Sequence, residues 1–129
     1  MLNDLSIVTE AGRMARFAAA RHSVISENIA QADVPGYKAR DMPAFAAFAA
    51  RGADATMPKA TRQGHMTQPI AQVLPQASET DDPVAPNGNS VVIEEQSMLA
   101  AEAAGQHRLA LSVYSKTLDL LRLGLGRLR

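Results

Sequence analysis

Apolar positions at the two ends of the chain follow a helical period. In residues 1–32, small apolar side chains recur every three or four positions, and no proline interrupts them. From residue 91 onward the apolar side chains are larger, and their alternating spacings of three and four are typical of a coiled-coil seam. The seam positions are Leu111, Tyr114, Leu118, Leu121, Leu125 and Leu128. The pattern therefore predicts two long helices, over 1–32 and 91–129, with the second beginning near Glu94.

The segment between these helices, residues 33–90, lacks a sustained period and contains all seven prolines. Within it, residues 44–50 predict two helical turns with both phenylalanines on one side, and residues 70–74 predict a short strand. The acidic, polar residues 77–86 predict a mobile loop. Because long segments without strong elements are uncommon inside compact domains, we expect the middle to be an arm that orders against partners.

These elements predict one structural domain of mainly α class. The N- and C-terminal helices would pack as a coiled-coil-like α-hairpin, with an irregular, proline-rich middle that has room for short strands. A second apolar stripe lies beside the leucine seam, at Leu109, Val113, Leu120 and Leu123. Two such stripes exceed what one partner helix of small residues covers, so we expect the surplus to contact other subunits.

Composition lowers the expected stability of the isolated chain. Hydrophobic residues make up 47% of the 129 residues, but 24 of them are alanines and only five residues are aromatic. Nine of the 12 leucines lie in the last 31 residues. Since alanine buries little area, the apolar fraction overstates the core that one chain builds for itself. We therefore expect the chain alone to be only marginally folded.

Charge and cysteine content exclude several classes of partner. Thirteen basic and thirteen acidic residues balance, which disfavours nucleic acid as a partner. The absence of cysteine removes disulfides and thiolate metal sites. No apolar run approaches the length of a membrane span, and the first residues lack the charged and apolar regions of a cleaved signal peptide.

Candidate catalytic groups are sparse. The three histidines are far apart in the sequence and lack the spacing of metal ligands. The adjacent acidic pairs cannot point in the same direction on a helix or a strand, so they make poor acid–base dyads. We therefore expect no catalysis, no cofactor and no metal. The enzyme-class alternative is a small hydrolase that uses His65 with Asp81 or Asp82.

One motif is more specific. Residues 26–38 combine a helix end, a Pro-Gly turn and an aromatic residue, and Asn28 and Asp33 can bond to the backbone where the helix stops. The segment resembles the N-terminal signature of bacterial flagellar rod and hook proteins, Asn-Asn-Ile/Leu-Ala-Asn-x-Asn/Asp-Thr-Pro-Gly-Tyr-Lys. The matching residues are Asn28, Ile29, Ala30, Asp33, Pro35, Gly36, Tyr37 and Lys38. The chain departs from the signature at Glu27, Gln31 and Val34.

The second half of the chain extends the resemblance. Residues 87–91, followed by Glu94, Glu95 and a helix that carries Tyr114, resemble the C-terminal part of proximal rod members of this family. The short length also fits the proximal rod members better than the longer distal rod and hook proteins.

The resemblance implies a structural, non-enzymatic subunit of the flagellar basal body. In that family, residues corresponding to 1–32 and 91–129 pack together in the inner layer of a hollow rod, which crosses the periplasm and transmits torque from motor to hook. Subunits leave the cytoplasm through the flagellar type III apparatus without a cleaved signal peptide. The implied partners are further copies of the chain, the rod subunits FlgC and FlgF, the adaptor FliE, the MS ring and the export gate.

Two alternatives remain at this point. One is that the chain is itself the neighbouring rod subunit FlgC. The other is a soluble coiled-coil adaptor, which would explain the leucine seam but gives no reason for the signature at residues 28–38.

Overall fold

A computed structural model of the protein describes residues 2–54 and 74–126. The elements in chain order are helix α1 (Leu2–Ala30), strand β1 (Arg40–Asp41), helix α2 (Phe45–Asp54), strand β2 (Ser78–Glu79) and helix α3 (Ile93–Gly126). The chain is mainly helical, and α1 and α3 pack against each other as an antiparallel pair, which confirms the two predicted long helices. Within the described residues, neither long helix is apolar enough over a sufficient length to cross a membrane.

Small residues form the contact between α1 and α3. The buried residues of α3 recur at intervals of seven, at Gln96, Ala103, Ala110 and Thr117. They lie against the buried face of α1, which contains Ala11, Ala15, Ala18 and Ile25. Because alanine faces allow two helix backbones to approach closely, this face of α3 forms the hairpin. The predicted leucine seam lies beside this face, with Leu118 and Leu121 half-buried at its edge.

A second buried face of α1 holds the middle of the chain. Phe17 is 1% exposed and packs with the rings of Phe45 and Phe48, whose centroids lie 5.4 and 5.9 Å away. Met42 completes this cluster. The predicted helix over 44–50 is confirmed as the first part of α2, with both phenylalanines turned toward α1.

The remaining described part of the middle contains two short strands. β1 and β2 pair antiparallel, with Arg40 opposite Glu79 and Asp41 opposite Ser78. The prediction of a loop over 77–86 is therefore wrong at β2, because a two-residue strand is too short to show an alternating pattern. Of the strand predicted over 70–74, only Leu74 is among the described residues, and it lies in no strand.

An ion pair fastens β1 to α1. The guanidinium of Arg21 donates two hydrogen bonds to the carboxylate of Asp41, at 2.9 and 2.7 Å. These bonds raise the pKa of Arg21, because the carboxylate stabilises the charged form. We expected the middle of the chain to become ordered against partners. Its described parts instead pack on α1 of the same chain.

Candidate functional site

The two segments that carry the motifs meet where the hairpin closes. We call this region the junction; it consists of residues 28–40, which end α1 and lead into β1, and residues 87–96, which lead into α3. The two segments are joined by buried side-chain amides and by backbone hydrogen bonds.

Asn28 occupies the centre of the junction and is fully buried. Its amide nitrogen donates to the carbonyl of Arg40 at 2.7 Å and to Oε1 of Gln96 at 2.9 Å. Its amide oxygen accepts from the backbone nitrogen of Arg40 at 3.1 Å and from the hydroxyl of Tyr37 at 3.3 Å. One side chain thereby ties together the end of α1, the strand that follows it and the first turn of α3.

Asn89 makes a second link, at the C-terminal end of α1. The amide nitrogen of Asn89 lies 3.0, 2.7 and 2.8 Å from the carbonyl oxygens of Gln31, Ala32 and Val34. Its amide oxygen accepts from the backbone nitrogen of Val91 at 2.7 Å. A residue close to the start of α3 in sequence therefore holds the turn that follows α1.

Two glycines make the closest backbone approach in the junction. Gly36 and Gly88 have φ values of 75° and 84°, which side chains rarely adopt. The backbone nitrogen of Gly36 donates to the carbonyl of Asn87 at 3.0 Å. A Cβ atom added to Gly88 would lie 3.1 Å from the Cα atom of Gly36. The Pro-Gly turn thus approaches the Asn-Gly turn this closely because Gly88 has no side chain.

These two glycines offer a matched pair of substitutions. Gly36→Ala meets no atom within 4 Å, so we expect a loss of about 1 kcal/mol in the free energy of unfolding from the positive φ alone. Gly88→Ala adds a steric clash with backbone, so we expect about 2–3 kcal/mol. Urea unfolding of both variants measures the difference, and equal losses would contradict the close approach.

The signature residues divide into a buried and an exposed set. Asn28 and Tyr37 lie inside the junction and bond to each other. Lys38 is half-buried, and the others are solvent-exposed: Ile29, Ala30, Asp33, Pro35 and Gly36. The structure therefore assigns only part of the signature to the chain's own fold.

Sequence reasoning missed two buried partners of the signature. The hydroxyl of Ser90 accepts a hydrogen bond from the backbone nitrogen of Ala39 at 2.9 Å. The backbone nitrogen of Ser90 donates to the carbonyl of Tyr37 at 3.1 Å. Gln96 is 5% exposed and faces Asn28 across 68 positions of sequence. A polar residue on the small-residue face of α3 was the signal that could have identified Gln96.

The outer surface of α3 carries most of the exposed large apolar side chains. Leu120, Leu123 and Leu125 are 68%, 66% and 63% exposed. We call these exposed side chains together the α3 apolar face; they form two rows that flank the contact with α1, one of Leu109, Val113, Leu120 and Leu123 and one of Leu111, Tyr114 and Leu125. α3 packs on α1 chiefly through its small residues, and each of these larger side chains remains at least 36% exposed.

The predicted leucine seam is split by this arrangement. Leu111, Tyr114 and Leu125 belong to the α3 apolar face, whereas Leu118 and Leu121 are half-buried. Leu128 lies outside the described residues. The exposed members suit contact with another molecule, and the half-buried ones contribute to the chain's own fold.

The groups proposed for catalysis are not assembled within the described part of the chain. His22 is exposed, and Nδ1 of His107 lies 3.0 Å from the carbonyl oxygen of Ala15. The side chain of Asp82 accepts a hydrogen bond from the hydroxyl of Thr80. His65, on which the hydrolase alternative depends, lies outside the described residues. Among those residues, no group of three or more side chains is placed to hold a metal ion.

In comparisons with known proteins, no family model and no curated protein shows a significant match to the chain.

Proposed function

We propose that the chain is a structural subunit of the proximal rod of the bacterial flagellar basal body, of the FlgB type. It assembles with further copies and with other rod subunits into the hollow shaft that transmits torque from motor to hook. The observation that carries the proposal is the junction. The two sequence segments that separately resemble rod proteins, residues 28–38 and 87–95, meet in one buried network of hydrogen bonds.

The junction supports this role because it fixes where the chain leaves the helical hairpin. A rod subunit has to direct its middle segment out of the inner layer at a defined angle. Asn28 and Asn89 hold both ends of that exit, and the paired glycines keep the two turns in contact. The exposed signature residues, such as Ile29 and Pro35, remain available to a neighbouring subunit.

The α3 apolar face supports assembly. Two rows of exposed large apolar side chains on one helix are unusual on a monomeric protein and are typical of an interaction surface. In the rod, Leu111, Tyr114 and Leu125 would pack in a coiled-coil-like manner against helices of neighbouring subunits, and the proline-rich middle would gain further order there. The partners are further copies, FlgC, FlgF and the adaptor FliE, next to the MS ring and the export gate.

The localisation follows from the same proposal. The chain would reach the periplasmic part of the basal body through the flagellar type III apparatus, without removal of a signal peptide. It would perform no catalysis and hold no cofactor.

Two other functions are compatible with parts of the sequence. FlgC, the neighbouring rod subunit, shares the signature. A soluble coiled-coil adaptor is favoured by the exposed leucines alone, and it would form a discrete, stable oligomer in solution. A rod subunit would instead be monomeric at low concentration and prone to polymerise.

The test is a deletion strain of the bacterium that encodes the chain. We expect the deletion to abolish hook–basal bodies and swimming, and we expect a plasmid copy to restore both, with a tagged version located at the base of the rod. Intact flagella in the deletion strain would overturn the proposal. A tagged protein that stays in the cytoplasm would favour the adaptor.

Complementation with variants then tests the α3 apolar face. Leu118→Asp with Leu121→Asp would also disturb the hairpin, because both side chains are half-buried. Leu120→Asp with Leu123→Asp changes two of the most exposed leucines, so we expect normal export and folding but no rod and no swimming. Ser97→Asp with Ala101→Asp adds the same charge at exposed positions of α3 outside this face and serves as the control. Normal swimming of the leucine variant would show that this face is not an assembly surface.

A further inference from the structure

A groove runs along one side of the contact between α1 and α3. It consists of two adjoining hollows of about 340 and 380 Å³, which have Ala19 and His107 in common. From Gly12 to His22 it follows ten residues of α1, which correspond to about 15 Å of helix. We call it the lateral groove. Each hollow has the size of a small-molecule pocket.

Small apolar side chains form the floor of the lateral groove. They are Ala15, Ala18 and Ala19 of α1 and Ala103 and Ala104 of α3. Because none of these side chains extends far from its helix, the groove keeps an open apolar strip along its length. Such a strip favours a slender apolar ligand, which releases water from the alanines when it binds.

Positively charged and imidazole side chains also line the lateral groove; they are Arg16, His22, His107 and Arg108. Among the described residues that line it, none is acidic. Neither arginine forms an ion pair with a described acid. Nδ1 of His107 lies 3.0 Å from the carbonyl oxygen of Ala15, which only accepts, so Nδ1 carries a hydrogen and Nε2 is the nitrogen that can meet a ligand. The groove therefore favours an anion.

The two ends of the lateral groove differ in chemistry. The hollow nearer the junction is lined by both histidines and by Arg108, and it has no apolar side chain larger than alanine. The other hollow is lined by Leu111 and Tyr114 together with Arg16. The ring of Tyr114 lies close to Gly12, since a Cβ atom added there would be 3.9 Å from Cε2 of the tyrosine. A ligand that matches both ends has an anionic head and an apolar tail.

The other side of the same helix contact lacks this chemistry. A hollow of about 310 Å³ lies there, and its lining includes Ile7, Met14, Leu109 and Val113. The single charged side chain of its described lining is Glu10, which pairs with Arg13 at 2.9 Å. An anion is disfavoured beside this carboxylate, so charge rather than size distinguishes the lateral groove.

We propose that the lateral groove binds a single-chain amphiphile with an anionic head group, of the chemical class of a fatty acid. The head lies in the hollow nearer the junction, beside Arg108 and the two histidines. The chain lies along the alanine floor and ends against Leu111 and Tyr114. This inference goes beyond the proposed function and does not rest on it, because a single hairpin supplies the whole groove.

Titration of the full chain, labelled with ¹⁵N, tests the proposal with dodecanoate below its critical micelle concentration. We expect the largest amide shifts around Ala19 and His107, with the junction unaffected. Dodecyltrimethylammonium has the same tail and a cationic head, so it should bind at least tenfold more weakly. Equal affinities, no amide shifts, or shifts centred on Ile7 and Val113 would overturn the proposal.

Two variants separate the apolar and the ionic parts of the site. Ala19→Leu fills the groove from an exposed position shared by both hollows, and Arg16→Glu with Arg108→Glu reverses its charge at two exposed positions. Each should bind dodecanoate at least tenfold more weakly than the unmodified chain. Lys116→Glu with Arg122→Glu makes the same charge change at exposed positions of α3 that do not line the groove, and should leave the affinity unchanged. Undiminished binding by either groove variant, or an equal loss in this control, would refute the site.

Discussion

Phe17→Ala should lower the free energy of unfolding by about 3–5 kcal/mol, the range for a large aromatic side chain removed from a packed core. Phe17 is 1% exposed, and it is the residue of α1 against which both α2 phenylalanines pack. Because the described residues of the middle have few other large apolar contacts with α1, the loss of Phe17 would release α2 from the hairpin. Urea unfolding followed by far-ultraviolet circular dichroism and by protease sensitivity of α2 measures the effect.

Phe45→Ala is the matched control for this change. The same number of atoms is removed, but the ring of Phe45 is only half-buried, so the loss should be clearly smaller. Equal losses for the two variants, or a loss below about 1 kcal/mol for Phe17→Ala, would mean that the aromatic cluster does not hold the middle of the chain in place.

Asn28→Ala is expected to cost about 3 kcal/mol. The substitution leaves the carbonyl and the backbone nitrogen of Arg40 and the amide oxygen of Gln96 without their partner in a buried region, and each unsatisfied group costs about 1–3 kcal/mol. Asn28→Asp keeps an acceptor but removes both donors and directs negative charge at two oxygens, so it should be at least as damaging. Urea unfolding measures the loss of stability.

Ser26→Ala controls for a general effect of changing the end of α1. Ser26 is exposed and its hydroxyl donates to the carbonyl of His22 one turn earlier, so we expect a change within about 0.5 kcal/mol. If Asn28→Ala were as mild as this control, the junction would not be the element that closes the hairpin.

The buried amides also separate two roles within the signature. Asn28 and Tyr37 serve the fold of a single chain, whereas Ile29, Asp33 and Pro35 are exposed. Substitution of Asn28 or Tyr37 should lower the free energy of unfolding, and it should impair assembly only because the chain is less stable. Substitution of Ile29, Asp33 or Pro35 should leave the free energy of unfolding unchanged and alter assembly directly.

Total charge is a poor guide to the electrostatics of an elongated molecule. The sequence gives equal numbers of acids and bases, which excludes a uniform field. It does not reveal that residues 79–82 are brought beside the segment that leads from α1 into β1 by a backbone hydrogen bond from Thr80 to Ala39. That contact places two separate acidic stretches at one end of the hairpin.

Local periodicity alone determined the helices of this protein. Helix formation depends on residues three and four positions apart, so the ends at Ala30 and Ile93 lie within two residues of the predicted ones. The end of α1 could equally be predicted, because Pro35 disfavours helical backbone at Val34 and Gly36 permits the turn that follows. The short helix with Phe45 and Phe48 followed from the same kind of local pattern.

Tertiary structure decided which face of α3 packs on α1. The leucine seam and the row of Gln96, Ala103, Ala110 and Thr117 both repeat at helical spacing, and periodicity does not state which one a partner helix covers. The alanines of α1 fit the row of small side chains because the two backbones can approach closely there, and this choice leaves the leucines on the surface. The junction was likewise beyond the reach of the sequence, because hydrogen bonds between Asn28 and Gln96 join residues 68 positions apart and leave no local pattern.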